Sequence, residues 1–345
     1  MATIAANSIS YTSEGAVTIS YKTLVSSPLS LTASIEKAFG SSPDSLGIIV
    51  VHDLPPSFVA YRERLLKLAY NFAHLDESTR EKYADAKSSF GWSHGKGSYY
   101  ANPVIDIPSV SPDVKLANPE YYEANIWPEH NEKSVEGFEQ AFKDLGRLIF
   151  KVGCELADAC QPFASPYMTD KSKSLSGLIT SSQTVKARLL HYFPPSPDAP
   201  LPAEDEPVDS WCGFHLDHSL LTGLCSAMYL HKHTTGPPTA VRSPSPSSGL
   251  YIKTRGGDLT KVTIPTDCLA FQTGEALELA TNGRLRATPH CVRVGAAEDA
   301  DKISRETFAL FMQPDVNEQI SEKETFGQFS QRIFDEHYKG EGETA

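Results

Sequence analysis

Apolar residues along this chain recur with two different periods. Phe58, Tyr61, Leu65, Leu68, Phe72 and Leu75 follow one another at steps of three and four, the spacing of one helical face. Val135, Phe138, Phe142, Leu145, Ile149, Val152 and Leu156 repeat the pattern, and Ser134 is placed to cap that helix. Between the N-terminus and the first stripe, the β-rich run over residues 45–51 leads into His52 and Asp53 and predicts a strand.

From about residue 185 the period shortens. Short β-branched and aromatic runs follow one another, punctuated by Gly and Pro. The clearest, YIKTRGGDLTKVTI, is two alternating runs about Gly256-Gly257 and predicts a hairpin. Such a series predicts a mainly β fold with flanking helices, of the α+β class, built on a barrel or a double-sheet jelly roll. Two Pro-rich stretches, residues 194–207 and Thr234 to Ser248, are expected outside any sheet, because proline removes ladder donors. Thr325, Phe326, Phe329, Ile333 and Phe334 then predict a closing helix before a polar tail.

Composition narrows the classes of function. The chain has 345 residues, 40% of them hydrophobic and 21% charged, which suits a globular protein with a sizeable core. A formal net charge of −12 leaves no basic face for a phosphate backbone, so nucleic acid is not an expected partner. MATIAANSIS has neither a basic nor an apolar targeting segment, and no apolar run is long enough to cross a bilayer. A soluble, cytoplasmic protein with no membrane partner is expected. The six cysteines, without a CxxC pair, read as free, mostly buried thiols.

The segment WCGFHLDHSLLTGL sets His215 and Asp217 two residues apart at the end of a β-like run. Side chains at i and i+2 share one face of a strand, so an imidazole and a carboxylate can converge on one ion. Alone, such a pair is common in surface turns. A third ligand must come from a distant strand, and His290 is the best candidate, in the β-like run LRATPHCVRV after the Asn282-Gly283 turn. Two histidines and one carboxylate on a face leave coordination positions open, the arrangement suited to non-haem iron(II) oxygenases. His218, His231 and His233 read as loop or supporting residues.

Four segments, in order, resemble the isopenicillin N synthase-like branch of the iron(II), 2-oxoglutarate-dependent dioxygenases. They are ARLLHYFPPSP, GFHLDHSLLTGL, the run from Gly249 to Val292, and RETFALFMQPD; the resemblance spans about residues 15 to 338. It implies a double-stranded β-helix, or jelly roll. The organisation expected is a helical and β region over 1–165 packed on the barrel, a catalytic core over 166–316, and a C-terminal helix with a polar tail over 317–345, all in one integrated unit.

The resemblance also implies roles. His215, Asp217 and His290 would be the catalytic metal ligands for iron(II). Arg305 and Thr307 match the Arg-x-Ser pair that holds the distal carboxylate of 2-oxoglutarate, with Thr in place of Ser. The stretch between His290 and Arg305 is longer than usual, so Arg293 is a second candidate. The family's Asn-Tyr-Tyr-Pro run reads His191-Tyr192-Phe193-Pro194, which puts His191 against the co-substrate and Phe193 where the family has tyrosine. Cofactors would be iron(II), 2-oxoglutarate as co-substrate and O₂, with ascorbate as a stimulant. The expected reaction is hydroxylation, demethylation, desaturation or oxidative cyclisation of a small molecule, with release of succinate and CO₂. The substrate would be a specialised metabolite, amino-acid derivative or hormone-like acid, and the protein a monomer or weak homodimer. For an acidic substrate, Lys232, Arg242 and Arg255 are the cations expected near the entrance. The stretch from His231 to Ser248, together with Ser98-Tyr99-Tyr100, is expected to form a lid. Alternatives are an iron(II) oxidase of the same fold that does not use 2-oxoglutarate, which Phe193 favours, and a non-catalytic jelly-roll binding protein.

Overall fold

The architecture is that of a computed structural model, which describes residues 9–93, 97–196, 212–293 and 300–341, with side chains through residue 336. The N-terminal region contributes strands β1 (Ser10–Tyr11), β2 (Val17–Ser20), β3 (Ile48–His52), β4 (Gly91–Ser93) and β5 (Ser98–Ala101). Next come β6 (Lys186–Tyr192), β7 (Cys212–His215), β8 (Leu221–Cys225), β9 (Met228–His231) and β10 (Thr239–Val241). The series ends with β11 (Gly249–Lys253), β12 (Leu259–Val262), β13 (Leu269–Thr273), β14 (His290–Arg293) and β15 (Ile303–Met312).

These strands form two facing sheets. The major sheet runs β1-β2-β3-β13-β8-β15-β6-β5-β4, with the β9–β10 hairpin joined to it through β15; the minor sheet runs β12-β11-β14-β7. The fold is mainly β with flanking helices, a jelly-roll core, as expected. Strands from the N-terminal region extend the major sheet on both sides, β3 beside β13 and β5 beside β6. The run over 45–51 becomes β3, paired in parallel with β2.

The helical stripes form helices Ser57–Ala73 and Phe138–Ala164, which cover the outer face of the major sheet. Phe58, Leu65, Leu68 and Phe72 of the first and Phe138, Phe142, Leu145, Ile149, Val152 and Leu156 of the second are buried there. Close approach depends on glycine. A Cβ on Gly223 of β8 would strike Cγ2 of Ile149, and one on Gly153 would strike Met312. Ser134 does not cap the second helix: it sits in a 3₁₀ turn, and Gly137, at a left-handed φ of 73°, intervenes before Phe138. The closing helix, Phe326–Glu341, buries Phe326 and Phe329.

Between the two sheets the interior is filled on one side and hollow on the other. Ile48, Val50, Ala270, Ile252 and Val262 pack together at the β3–β13 side. Toward β8, β15 and β6 a cavity remains. Two loop expectations change. Thr234 to Ser248 includes β10, whose Thr239 pairs with His231; the prolines lie on either side of this short edge strand, where no ladder donor is lost. Ser98-Tyr99-Tyr100 lies within β5, with Tyr99 1% exposed, so it is core sheet and no lid. Of the stretch 194–207, residues 197–207 lie outside the described residues. No helix among the described residues is long and apolar enough to cross a membrane, and none of the six cysteines is joined in a disulfide.

Candidate active site

The cavity measures about 200 Å³ and is walled by alternate residues of both sheets. The period of two in a strand determines which residues reach it. Arg188, Leu190 and Tyr192 of β6 line it, as do Arg305, Thr307, Ala309 and Phe311 of β15, while Glu306 and Phe308 turn to the helix side. From the minor sheet come Leu250, Val262, Val292, His215 and His290.

His215, Asp217 and His290 meet at this cavity. β7 and β14 pair antiparallel with His215 opposite His290, which brings the imidazole centroids to 4.2 Å. Asp217 follows just beyond β7, fixed by its carbonyl, which accepts from the Glu275 amide at 2.7 Å. One ligand atom from each of the three residues lies within 4.8 Å of the others. Nε2 of His215 and Nε2 of His290 stand 3.7 and 3.8 Å from the same carboxylate oxygen, Asp217 Oδ1. The other ring nitrogens are held from behind: His215 Nδ1 donates to the Gly213 carbonyl at 2.8 Å, and His290 Nδ1 lies 2.7 Å from the Gln272 amide and 3.3 Å from the Thr288 carbonyl. Such outer contacts orient a ring so that its free nitrogen faces an ion.

The donor set fits a first-row divalent metal. Asp217 is 7% exposed, and its Oδ2 is buried with no hydrogen-bond partner among the described residues. A buried carboxylate oxygen left unpaired is costly without a cation. Burial opposes charge on His215, but the Cys212 thiol and the Asp217 carboxylate outweigh it and push the imidazole up to about 9. Burial lowers His290, against the pull of Asp217.

Arg305 lines the cavity and is 7% exposed. Its pairing with Tyr192 across β6 sets the two side by side, the guanidinium carbon 5.1 Å from the ring centroid. Thr307, two residues on, lines the same wall, with Oγ1 donating to the Cys225 carbonyl at 3.3 Å. Arg293 is one residue out of phase with His290 and Val292 on β14; it leaves the cavity wall and stacks on Tyr251, 4.7 Å from the ring.

His191 is not brought to the cavity. It alternates with Leu190 and Tyr192, so its ring points to the helix side, 2% exposed, where Nδ1 lies 2.9 Å from both oxygens of Glu306. Glu306 is fully buried, and burial raises its pKa despite the neighbouring imidazole. The same parity corrects the reading of Phe193. That ring is 47% exposed, and Tyr192 occupies the cavity wall beside Arg305. The sequence reading missed Tyr192 and Arg188.

The expected entrance cations also move. Lys232 and Arg242 are exposed away from the cavity lining, and Arg255 is tied to the Ser45 and Arg286 carbonyls. Arg188 and Lys261 line the cavity instead. Buried Arg62, from the Ser57–Ala73 helix, donates Nε and Nη2 to the Ser226 and Ala227 carbonyls at 2.8 and 2.9 Å, fixing a turn at the cavity edge.

No family model and no curated protein matches the sequence. Solved structures do. A full-length Neurospora crassa protein, in complex with alpha-KG and 5-formyluracil, matches with a TM-score of 0.61 at 16% identity, over 90% of this chain and 88% of that one. A Caulobacter crescentus protein assigned to the 2OG-Fe(II) oxygenase family gives 0.65 at 17% identity, over 95% and 100%. The rice dioxygenase for auxin oxidation gives 0.56 at 15% identity, over 93% and 95%. These matches do not single out the isopenicillin N synthase-like branch. With its two-sheet jelly roll and flanking helices, the chain has the fold of the 2-oxoglutarate- and iron(II)-dependent oxygenases.

Proposed function

We propose that this protein is a non-haem iron(II), 2-oxoglutarate-dependent oxygenase that oxidises a C–H bond of a small organic molecule. The observation that carries the reading is the convergence of His215, Asp217 and His290 on one cavity that also contains Arg305 and Tyr192. The Neurospora crassa protein has been crystallised with alpha-KG in this same fold, which supports the co-substrate. His215, Asp217 and His290 would hold the metal, and when bound it would supply the redox chemistry that couples oxidative decarboxylation of 2-oxoglutarate to substrate oxidation.

The chain's own residues have separate tasks. Arg305, a planar donor in a shielded wall, suits the distal carboxylate of 2-oxoglutarate, and the Tyr192 phenol and Thr307 hydroxyl lie beside it. Leu190, Leu224, Ala309, Phe311, Val262 and Ile264 exclude water from the reacting groups. Gln272 and the Thr288 carbonyl hold the His290 ring, and the Gly213 carbonyl holds His215. The choice of an oxidase that dispenses with 2-oxoglutarate rested on Phe193 replacing a tyrosine, and with Tyr192 on the wall that reason is gone.

The test is anaerobic reconstitution with iron(II), followed by oxygen and 2-oxoglutarate, with succinate measured. Wild type is expected to form succinate only when both are present. His215→Ala, Asp217→Ala and His290→Ala should each lose iron binding and succinate formation while keeping a wild-type circular dichroism spectrum. Iron-independent succinate formation, or near wild-type turnover in any of the three, would overturn the assignment.

A further inference from the structure

Resting on the oxygenase reading, we infer that Arg188 binds the carboxylate of the main substrate, so that this substrate is a small, largely apolar carboxylic acid. Arg188 lines the cavity from β6. Among the described residues its interactions are with neutral groups: Nε donates to Ser98 Oγ at 3.0 Å, and the guanidinium carbon lies 5.5 Å from the Tyr100 ring. Those contacts fix one edge and one face of the guanidinium. They leave the forked Nη edge, the part that matches a carboxylate with two parallel bonds, outside those contacts.

A fixed cation in a partly desolvated wall without an anion is unfavourable, and a bound anion would relieve it. 2-Oxoglutarate does not fill that role. In the β6–β15 ladder, Arg305 stands opposite Tyr192 and Arg188 stands opposite Ala309, four residues further along. At about 3.3 Å per residue the two positions are roughly 13 Å apart along the sheet. That is a separation of backbones, and the Arg188 side chain reaches toward Ser98, opposite Leu190; with 2-oxoglutarate on Arg305, Arg188 is left for a second molecule. The rest of that second molecule would meet Leu190, Leu224, Ala309 and Phe311, an apolar wall. Lys261, the other cation of the lining, already donates Nζ to the Pro246 carbonyl. One carboxylate on an apolar body fits this surface.

The experiment uses the protein loaded anaerobically with iron(II), with and without 2-oxoglutarate, and reads equilibrium binding by calorimetry. The probes are phenylacetate, 3-phenylpropionate and cinnamate, each against its primary amide. At least one acid is expected to bind wild type about tenfold more tightly than its amide, the discrimination of a charge-assisted pair. Arg188→Leu should bring that ratio below about twofold, and Arg188→Lys should keep part of it. Binding of acids and amides alike, binding of no acid in the panel, or an unchanged ratio in Arg188→Leu overturns the proposal. So does loss of 2-oxoglutarate binding in Arg188→Leu, which would make Arg188 the co-substrate anchor. The wild-type acid-to-amide comparison stands even if a variant fails to fold. Failure of wild type to bind 2-oxoglutarate would count against the oxygenase reading, while the acid-to-amide ratio would still judge Arg188.

Discussion

Two arginines compete in the sequence for the co-substrate, and at the scale of the residue their strand parity separates them. Arg305 is on the cavity face of β15, whereas Arg293 is on the outward face of β14. Arg305→Leu should therefore raise the 2-oxoglutarate concentration needed for half-maximal succinate formation at least about tenfold, since a charge-assisted pair contributes roughly 1.5 to 3 kcal/mol. Arg293→Leu should change it less than about twofold, and the reverse outcome would exchange their roles. His191 predicts a different kind of effect. Its ring and the Ser304 hydroxyl are the partners of a fully buried Glu306 carboxyl, so His191→Ala strips that group of its contact at Oε2 and leaves it the Ser304 hydroxyl at Oε1. Urea unfolding should register a loss of roughly 1 to 3 kcal/mol, with 2-oxoglutarate affinity affected far less than by Arg305→Leu. The sequence concealed this division because Arg188, Leu190 and Tyr192 alternate with Ala187, Leu189 and His191, and both faces of β6 are buried or nearly so. Polarity alternation cannot choose a face when neither faces water.

At the scale of elements, the helices were legible because each has a single apolar face and a clean period. Phe138–Ala164 runs along the sheet with almost every stripe residue buried. Its glycine contacts were not legible, because a glycine inside a strand looks like weakness until its neighbour is known. Gly223→Val would force methyl groups into Ile149 and Phe271. Overpacking of this kind costs about 1 to 3 kcal/mol, and a thermal melt should fall accordingly. The insertion between β9 and β11 reads as a loop from its prolines, and it holds the short strand Thr239–Val241. Ser243 and Ser248 line the cavity and the Pro246 carbonyl receives Lys261, so the insertion borders the binding space. Replacing Thr234 to Ser247 by a short Gly-Ser linker should raise KM for the main substrate and leave 2-oxoglutarate affinity near wild type. Unchanged kinetics would remove the insertion from substrate binding.

For the whole molecule, the jelly roll could be read from many short strands, and the HxD pair with a distant histidine marked where its metal ligands would gather. Which half of the interior was hollow could not be read. It depends on cross-sheet packing of Ile48 and Val50 from the N-terminal region against Ile252 and Val262, a contact with no local signature. The same holds for β15, where every residue but Phe311 is buried. Arg305 and Glu306 are neighbours in the chain and opposites in charge, and only the pairing of β15 with β6 decides which of them enters the cavity. A shift of that strand by one residue would exchange them and turn a wall that attracts anions into one that repels them. Insertions and deletions are therefore not equivalent mutations along this segment. Added residues before Ile303 can leave the strand where it is, so the distance from His290 is free to drift between descendants of this gene. A single codon gained between Glu306 and Phe308, if the ladder beyond it holds, would reverse the polarity of the site without touching any of the residues that define it.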